Sequence, residues 1–141
     1  MRIWFSVFLL ALAMSPDSSA ADRPEDAAIK AVVEANMRAA EEKDVDAYLA
    51  TVHPDSPTRP SLRDEIAMLE EYDLGFSAPS VKFVAMAGDY ALYRVVQRTV
   101  RKGGPDFLDN ELDGVWAFRK DGSSWKYWSQ LIFEGKPLAR E

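Results

Sequence analysis

The stretch that decides the fold is Asp121-Gly122-Ser123-Ser124-Trp125-Lys126-Tyr127-Trp128, near the C-terminal end of the chain. Asp-Gly is typical of the positive-φ turn that joins two antiparallel strands. The aromatic residues after it stand at every other position or closer, which indicates a strand that buries aromatic side chains. The last third of the chain is therefore predicted to be a hairpin in a curved sheet.

Further strands precede this hairpin. The hydrophobic period changes to two after Tyr72, and it predicts strands at about 74–77, 81–87, 90–101, 107–119 and 124–133. Sequences rich in Gly, Pro and Asp separate the later strands. Because these connections are short, consecutive strands are expected to be antiparallel neighbours.

Helices are predicted before the strands. Apolar residues at spacings of three and four place one stripe on a helix over about Pro24–Glu42. Asp44 is expected to cap a short second helix that Pro54 ends. Ser61, three residues before Asp64, resembles a capping box and predicts the start of a third helix. Helices grouped before a run of antiparallel strands are typical of the α+β class.

Alternation divides each strand between an inner and an outer face. The predicted inner faces carry Ala91, Tyr93, Val95, Gln97 and Thr99, then Asn110, Leu112, Gly114, Trp116 and Phe118, then Trp125, Tyr127, Ser129, Leu131 and Phe133. The acids Asp109, Glu111 and Asp113 fall on the outer face. Gly114 in the middle of a long strand predicts a bulge or bend, and a bulge inverts the faces of the strand beyond it.

The first residues have the pattern of a secretory signal peptide. Arg2 precedes the apolar stretch Ile3–Met14, and Ser18-Ser19-Ala20 supplies small residues for cleavage after Ala20. A membrane span needs about 20 apolar residues, so a retained anchor is disfavoured. Residues 21–141 are then expected to form a single domain, either in the periplasm or secreted from a bacterial cell.

Composition excludes several classes of partner and site. The chain of 141 residues has a formal net charge of −6 and no cysteine. The acidic charge argues against binding to nucleic acid and against docking on anionic lipid. Without cysteine there is no disulfide framework and no thiolate metal site, and with a single histidine we expect neither a metal nor a cofactor.

The order of the elements and several short motifs resemble the nuclear transport factor 2-like superfamily, and within it the small SnoaL-like, secreted bacterial branch. The motifs are Lys43-Asp44-Val45-Asp46-Ala47-Tyr48, Gly88-Asp89-Tyr90-Ala91, and Phe118-Arg119-Lys120-Asp121-Gly122 with Trp125-Lys126. The resemblance implies a cone, in which a strongly curved sheet wraps the N-terminal helices and leaves a pocket at its open end. Members of the superfamily include dehydratases, isomerases and cyclases, as well as pocketed proteins without demonstrated chemistry.

The implied pocket is expected to hold a small apolar molecule. Its predicted ligand-binding residues are Tyr48, Tyr93, Gln97, Asn110, Trp116 and Tyr127. Hydroxyl and amide groups form hydrogen bonds but are poor bases near neutral pH. Because the acids of the strands fall on the outer face, we predict an exported small-molecule-binding or accessory domain without an evident catalytic centre.

Two alternatives stay open. In the first, the chain is a SnoaL-like lyase or isomerase that uses His53 as a base, together with Tyr48 or Tyr93. The competing interpretation makes His53 a residue at the end of the second helix, where the helix dipole favours it.

In the second alternative, the chain is a protein-interaction or inhibitor module that acts through the outer sheet face. Trp128 is expected on that face because its parity is opposite to that of Trp125. The same face mixes charges with apolar side chains, namely Val96, Val100, Val115 and Ile132. It is therefore also the predicted contact of a homodimer.

Overall fold

The computed structural model describes residues 23–139. Its helices are α1 (Pro24–Glu42), α2 (Val45–Ala50) and α3 (Arg59–Met68). Its strands are β1 (Asp73–Ala87), β2 (Tyr90–Gly103), β3 (Asn110–Asp121) and β4 (Ser124–Pro137). The strands form one antiparallel sheet in the order β1-β2-β3-β4, so the predicted α+β class is confirmed.

The predicted signal peptide, residues 1–20, lies outside the described residues. Within residues 23–139, no helix is both long enough and apolar enough to cross a membrane. Export and the domain boundary at residue 20 therefore stay predictions.

Local chemistry explains how the short helices begin. The side chain of Asp44 accepts a hydrogen bond from the backbone N–H three residues later at 3.0 Å, which confirms the predicted cap of α2. The helix α3 begins earlier than expected, because Thr58 is its N-terminal flanking residue. Ser61 lies inside the first turn and donates to Glu65 Oε1 at 2.8 Å, so the predicted capping box with Asp64 is wrong.

The strands predicted at 74–77 and 81–87 are two parts of one strand, β1. Its pairing with β2 continues to Ala87, with a register shift between Ser77 and Ser80. Pro79 lies in that shift, and proline has no N–H to donate to a ladder. The strand bulges there without ending because β1 is an edge strand, where only one side must pair.

The predicted inner faces of β2 and β3 are confirmed. Tyr93 and Phe118 are completely buried, and Trp116 is 4% exposed. They pack in one cluster with Ile29 and Val33 of α1. The core therefore lies between α1 and the concave face of the sheet.

The strand β4 follows the prediction only as far as Tyr127. Its pairing with β3 passes over one residue there, so Trp128 forms a bulge. Beyond the bulge, Gln130 lies opposite an inward residue of β3, whereas Leu131 and Phe133 face outward and are 70% and 54% exposed. The inward orientation predicted for the residues after Tyr127 is therefore wrong, because one extra residue exchanges the two faces.

A second irregularity confirms the expectation for Gly114. The register between β3 and β4 shifts between Asp113 and Gly114. A Cβ atom at Gly114 would collide with the carbonyl oxygen of Leu131 and lie 3.0 Å from Ile132 Cα. Glycine is required there because the backbone of β4 approaches too closely for any side chain.

The acids of β3 lie on the outer face, as the alternation predicts. Arg94 donates two hydrogen bonds to Asp113, at 2.9 and 2.7 Å. Arg98 donates to Glu111 at 2.7 Å, and Lys136 pairs with the same carboxylate at 3.2 Å. These cations hold the pKa of both carboxyl groups below the usual range.

Candidate functional site

A cavity of about 150 Å³ lies between α1, the α2–α3 region and the inner face of the sheet. Its apolar lining includes Met37, Ile66, Leu69, Phe76 and Trp116. Its polar lining consists of Asn36, Tyr48, Glu65, Gln97, Tyr127 and Gln130. Aromatic walls with a few converging polar groups are the usual composition of a small-molecule site.

The cavity brings together four of the six residues predicted to bind a ligand. Tyr48, Gln97, Trp116 and Tyr127 all line it. They come from α2, β2, β3 and β4, so the site depends on the docking of helices onto the sheet. Trp116 and Tyr127 also contact each other edge to face, with ring centroids 5.5 Å apart.

Tyr93 and Asn110, the other two predicted ligand-binding residues, lie outside the cavity. Tyr93 is completely buried, and its hydroxyl donates to Asp26 Oδ1 at 2.6 Å, so its polar tip anchors the first turn of α1. Burial and the bond to Asp26 raise the pKa of Tyr93. Asn110 is the first residue of β3 and donates to the Leu108 carbonyl oxygen at 3.1 Å. Neither residue belongs to the lining of the cavity.

The two cavity tyrosines present hydroxyl groups that stay protonated at neutral pH. Burial raises the pKa of Tyr48 and of Tyr127, and the negative charge of Glu65 raises both further. The hydrogen bond between Asn36 and Tyr48 acts in the opposite direction on the Tyr48 pKa. Each hydroxyl can therefore donate a hydrogen bond to a ligand, but neither is a base near pH 7.

Glu65 is the acid of this cavity, and the sequence analysis missed it. It lies three residues after Leu62 and four before Leu69, so helical periodicity places it on the edge of the buried stripe of α3. That helical spacing is the signal in the sequence for the position of Glu65. Gln130 carried no comparable signal because only the bulge at Trp128 turns it inward.

His53 lies outside the cavity lining and is 6% exposed. Its Nδ1 accepts a hydrogen bond from the Asp55 N–H at 3.0 Å, and its Nε2 lies 3.2 Å from the Lys120 carbonyl oxygen. Its ring also meets that of Trp128 edge to face, with centroids 5.3 Å apart. These contacts join the loop after α2 to the β3–β4 hairpin, and they favour the structural interpretation of His53.

Trp128, which the alternation of β4 predicts on the outer face, is half-buried. Its ring contacts Tyr90 edge to face at 5.6 Å, and the Arg119 guanidinium lies 4.9 Å from its centroid. Arg119 also lies 3.9 Å from a carboxylate oxygen of Asp55. These contacts hold the β3–β4 hairpin against the loop that contains His53.

A larger and more open groove, of about 410 Å³, lies between α1 and the bulged part of β1. Its walls include Glu34, Arg38 and Glu41 beside the segment 76–79. Glu41 is already engaged there, because it accepts the Phe76 N–H at 2.6 Å. We regard the smaller cavity as the functional candidate because aromatic and hydrogen-bonding groups converge in it from several elements.

Within residues 23–139, no group of three or more His, Cys, Asp or Glu side chains is arranged to hold a metal ion. The acids of the outer face are paired with Arg and Lys, and Glu65 is the acid within the cavity lining.

Comparison with known families gives a match over most of the chain. The sequence model described as the C-terminal domain of anti-sigma-I factor RsgI9 matches residues 31–138, which is nearly all of the described chain. No curated protein sequence matches the chain.

Comparison with solved structures identifies the fold. A protein of unknown function with a cystatin-like fold from Nostoc punctiforme is 18% identical, over 75% of this chain and 87% of its own, with a TM-score of 0.62. A ketosteroid isomerase-like protein from Erwinia carotovora is also 18% identical, over 84% and 100%, with a TM-score of 0.58. The beta subunit of the benzoate 1,2-dioxygenase from Burkholderia mallei is 16% identical, over 79% and 91%, with a TM-score of 0.63.

These similarities carry the fold alone, because proteins of one fold perform unrelated functions. The chain has the nuclear transport factor 2-like, or cystatin-like, fold, with N-terminal helices held against a curved antiparallel sheet. The predicted cone is thereby confirmed, whereas membership of the SnoaL-like branch stays a prediction.

Proposed function

Because this chain belongs to the family of the C-terminal domain of anti-sigma-I factor RsgI9, we propose that it is a binding domain whose cavity holds one small molecule. The family name describes part of a regulatory protein rather than an enzyme, which supports binding over catalysis. The accessory role predicted from the sequence is the same proposal in less specific form.

The observation that carries the proposal is the convergence of side chains in one cavity. Tyr48 and Tyr127 offer protonated hydroxyls, Gln97 and Gln130 offer amides, and Trp116 provides an aromatic wall. Such groups fix the orientation of a ligand without transferring a proton near neutral pH.

The size of the cavity limits the ligand. Sites for drug-sized molecules occupy about 300–1,000 Å³, which is more than the 150 Å³ available here. An engineered apolar cavity of about the latter volume holds one benzene molecule. We therefore propose a ligand with one ring or a comparable branched skeleton.

The test is a titration with benzyl alcohol, followed by ligand-observed NMR. Ala40 lines the cavity and is 8% exposed, so Ala40→Leu should fill the cavity and abolish binding without removing a polar group. Ala35→Leu, on the exposed face of the same helix, is the matched control and should bind like the parent chain. Equal binding to both variants would place the ligand elsewhere and refute the proposal.

The catalytic alternative stays a prediction. A lyase or isomerase based on His53 requires that ring to reach the substrate, within about 3 Å or through one water. Both of its nitrogens are engaged with the backbone of Asp55 and Lys120, and it is separate from the cavity lining. These contacts support binding as the first choice.

We also propose that two copies associate through the outer sheet face. Leu131 and Phe133 expose 70% and 54% of their surface there, beside rows of Arg and acid side chains. A two-fold contact brings the same patch from each copy together, so a face that carries both signs of charge can complement itself. An inhibitor or interaction role for this face is the competing proposal, in which the occupant is a different protein.

Export remains part of the proposal. It rests on the apolar stretch Ile3–Met14 and the small residues before Ala21, which are typical of a cleaved signal peptide. The test is intact-mass measurement of the chain recovered from the periplasm or the medium of a bacterial host, where loss of residues 1–20 is expected.

A further inference from the structure

One side of the cavity lining carries a negative charge. Among its lining residues, Glu65 carries the negative charge, and none of the lining residues in the described part of the chain is Lys or Arg. The two arginines of α3 are engaged elsewhere. Arg59 donates to the carbonyl oxygens of Leu49 and Val52, both at 3.1 Å, and Arg63 lies 3.6 Å from a carboxylate oxygen of Asp46. The charge carried by the cavity lining is therefore that of the Glu65 carboxylate.

One carboxylate oxygen of Glu65 is available to accept a further hydrogen bond. Ser61 Oγ donates to its Oε1 at 2.8 Å, whereas Oε2 accepts no hydrogen bond from residues 23–139. The charge of Glu65 raises the pKa of both Tyr48 and Tyr127, so its field reaches the cavity hydroxyls. An unused carboxylate oxygen in a cavity with aromatic walls can accept a hydrogen bond from a cation.

We propose that the cavity selects small cationic ligands, with a protonated amine on Glu65 and an apolar ring against Trp116 and Phe76. This inference rests on the proposed function and specifies the class of ligand. An ammonium group has donors and no acceptor, so it complements a carboxylate, and a cation is attracted to the face of an aromatic ring. A ligand with its own carboxylate would instead place a like charge beside Glu65.

The experiment compares three probes of nearly equal size: benzylamine, which is protonated at pH 7, neutral benzyl alcohol, and anionic benzoate. Affinities are measured by ligand-observed NMR titration. Because the carboxylate lies at an open mouth where solvent screens it, we expect benzylamine to bind about five- to tenfold more tightly than benzyl alcohol. Benzoate is expected to bind most weakly.

Two variants assign the preference to Glu65. Glu65→Gln should remove the advantage of benzylamine over benzyl alcohol, because it removes the charge and little volume. Glu65→Lys should reverse the order and favour benzoate. Asp64→Asn is the matched control, since it removes the same charge from the neighbouring exposed position of α3 and should keep the preference for benzylamine.

The outcomes distinguish the cationic selectivity from the proposed binding function on which it rests. Equal affinity for benzylamine and benzyl alcohol would overturn the cationic selectivity and leave the binding function intact. Tightest binding of benzoate, or a preference for benzylamine that survives Glu65→Gln, would also overturn the assignment. If no probe binds and Ala40→Leu matches the parent chain, the proposed function itself fails.

Discussion

At the scale of single residues, His53 is expected to contribute to stability rather than to ligand binding. His53→Ala removes a side chain whose ring nitrogens contact the backbone of Asp55 and Lys120, and it leaves the Asp55 N–H without this acceptor. The free energy of unfolding should fall by about 2 kcal/mol, as measured by urea denaturation. His53→Asn keeps an acceptor near Nδ1 and should lose less. A variant that unfolds like the parent chain but loses ligand binding or turnover would restore His53 as a functional residue.

Gly114 lies where the strands β3 and β4 leave no space for a side chain. Gly114→Ala forces a methyl group against the backbone of Leu131 and Ile132, which cannot move without breaking the β3–β4 pairing. We expect a loss of about 2 kcal/mol or more of unfolding free energy in the same urea experiment. Gly135→Ala is the control, because its Cβ would meet only the flexible Leu112 Cδ2 at 3.1 Å. Equal losses in both variants would contradict this account of the bulge.

At the scale of the elements, the outer-face ion pairs of β2, β3 and β4 should make stability depend on pH in the acid range. The pKa values of Glu111 and Asp113 are lower in the folded chain than the ordinary values of about 4.3 and 3.9. Their stabilisation is therefore complete above those ordinary values and is lost as the pH falls through the lowered ones.

The double variant Glu111→Gln, Asp113→Asn tests this dependence. Its unfolding free energy should change less than that of the parent chain between about pH 5 and pH 2. A control with Glu34→Gln and Glu42→Gln removes the same charge from α1 and should keep the parent profile. Identical profiles for all three chains would show that the outer-face pairs are not linked to stability.

At the scale of the whole molecule, the exposed residues of β4 are expected to control self-association. Leu131→Lys places a charge in the apolar part of the proposed contact, so it should shift a dimer to a monomer in analytical ultracentrifugation. Met68→Lys is the matched control, because Met68 is 73% exposed on α3 and away from the outer sheet face. A parent chain that is monomeric at all concentrations, or a dimer unaffected by Leu131→Lys, would refute this contact.

Much of the architecture could be predicted because its signals are local. Pro24, Asp44 and the Asp121-Gly122 turn each mark an element through the conformation of a few neighbouring residues. The faces of β2 and β3 follow from strict alternation, which holds as long as no residue is added to the strand. Alternation therefore predicts the inward side chain of Trp116 on β3 and also that of Tyr127, which precedes the bulge of β4.

The candidate site could be predicted only in part, because it depends on contacts between distant segments. A bulge at Trp128, invisible in the alternation of β4, turns Gln130 inward and Leu131 outward. Glu65 lines the cavity because α3 forms part of its wall, and Tyr93 lies outside the lining, with its hydroxyl bonded to Asp26 at the start of α1.

The order of the helices and strands, the α+β class and the inward faces of the central strands follow from the local preferences of the chain. Turns, helix caps and alternation each act over only a few residues. The composition of the cavity and the location of His53 do not follow from these preferences, since they arise when helices dock on the sheet and one extra residue exchanges the faces of a strand. Packing between segments far apart in the chain, rather than any local pattern, places an acid beside two tyrosines.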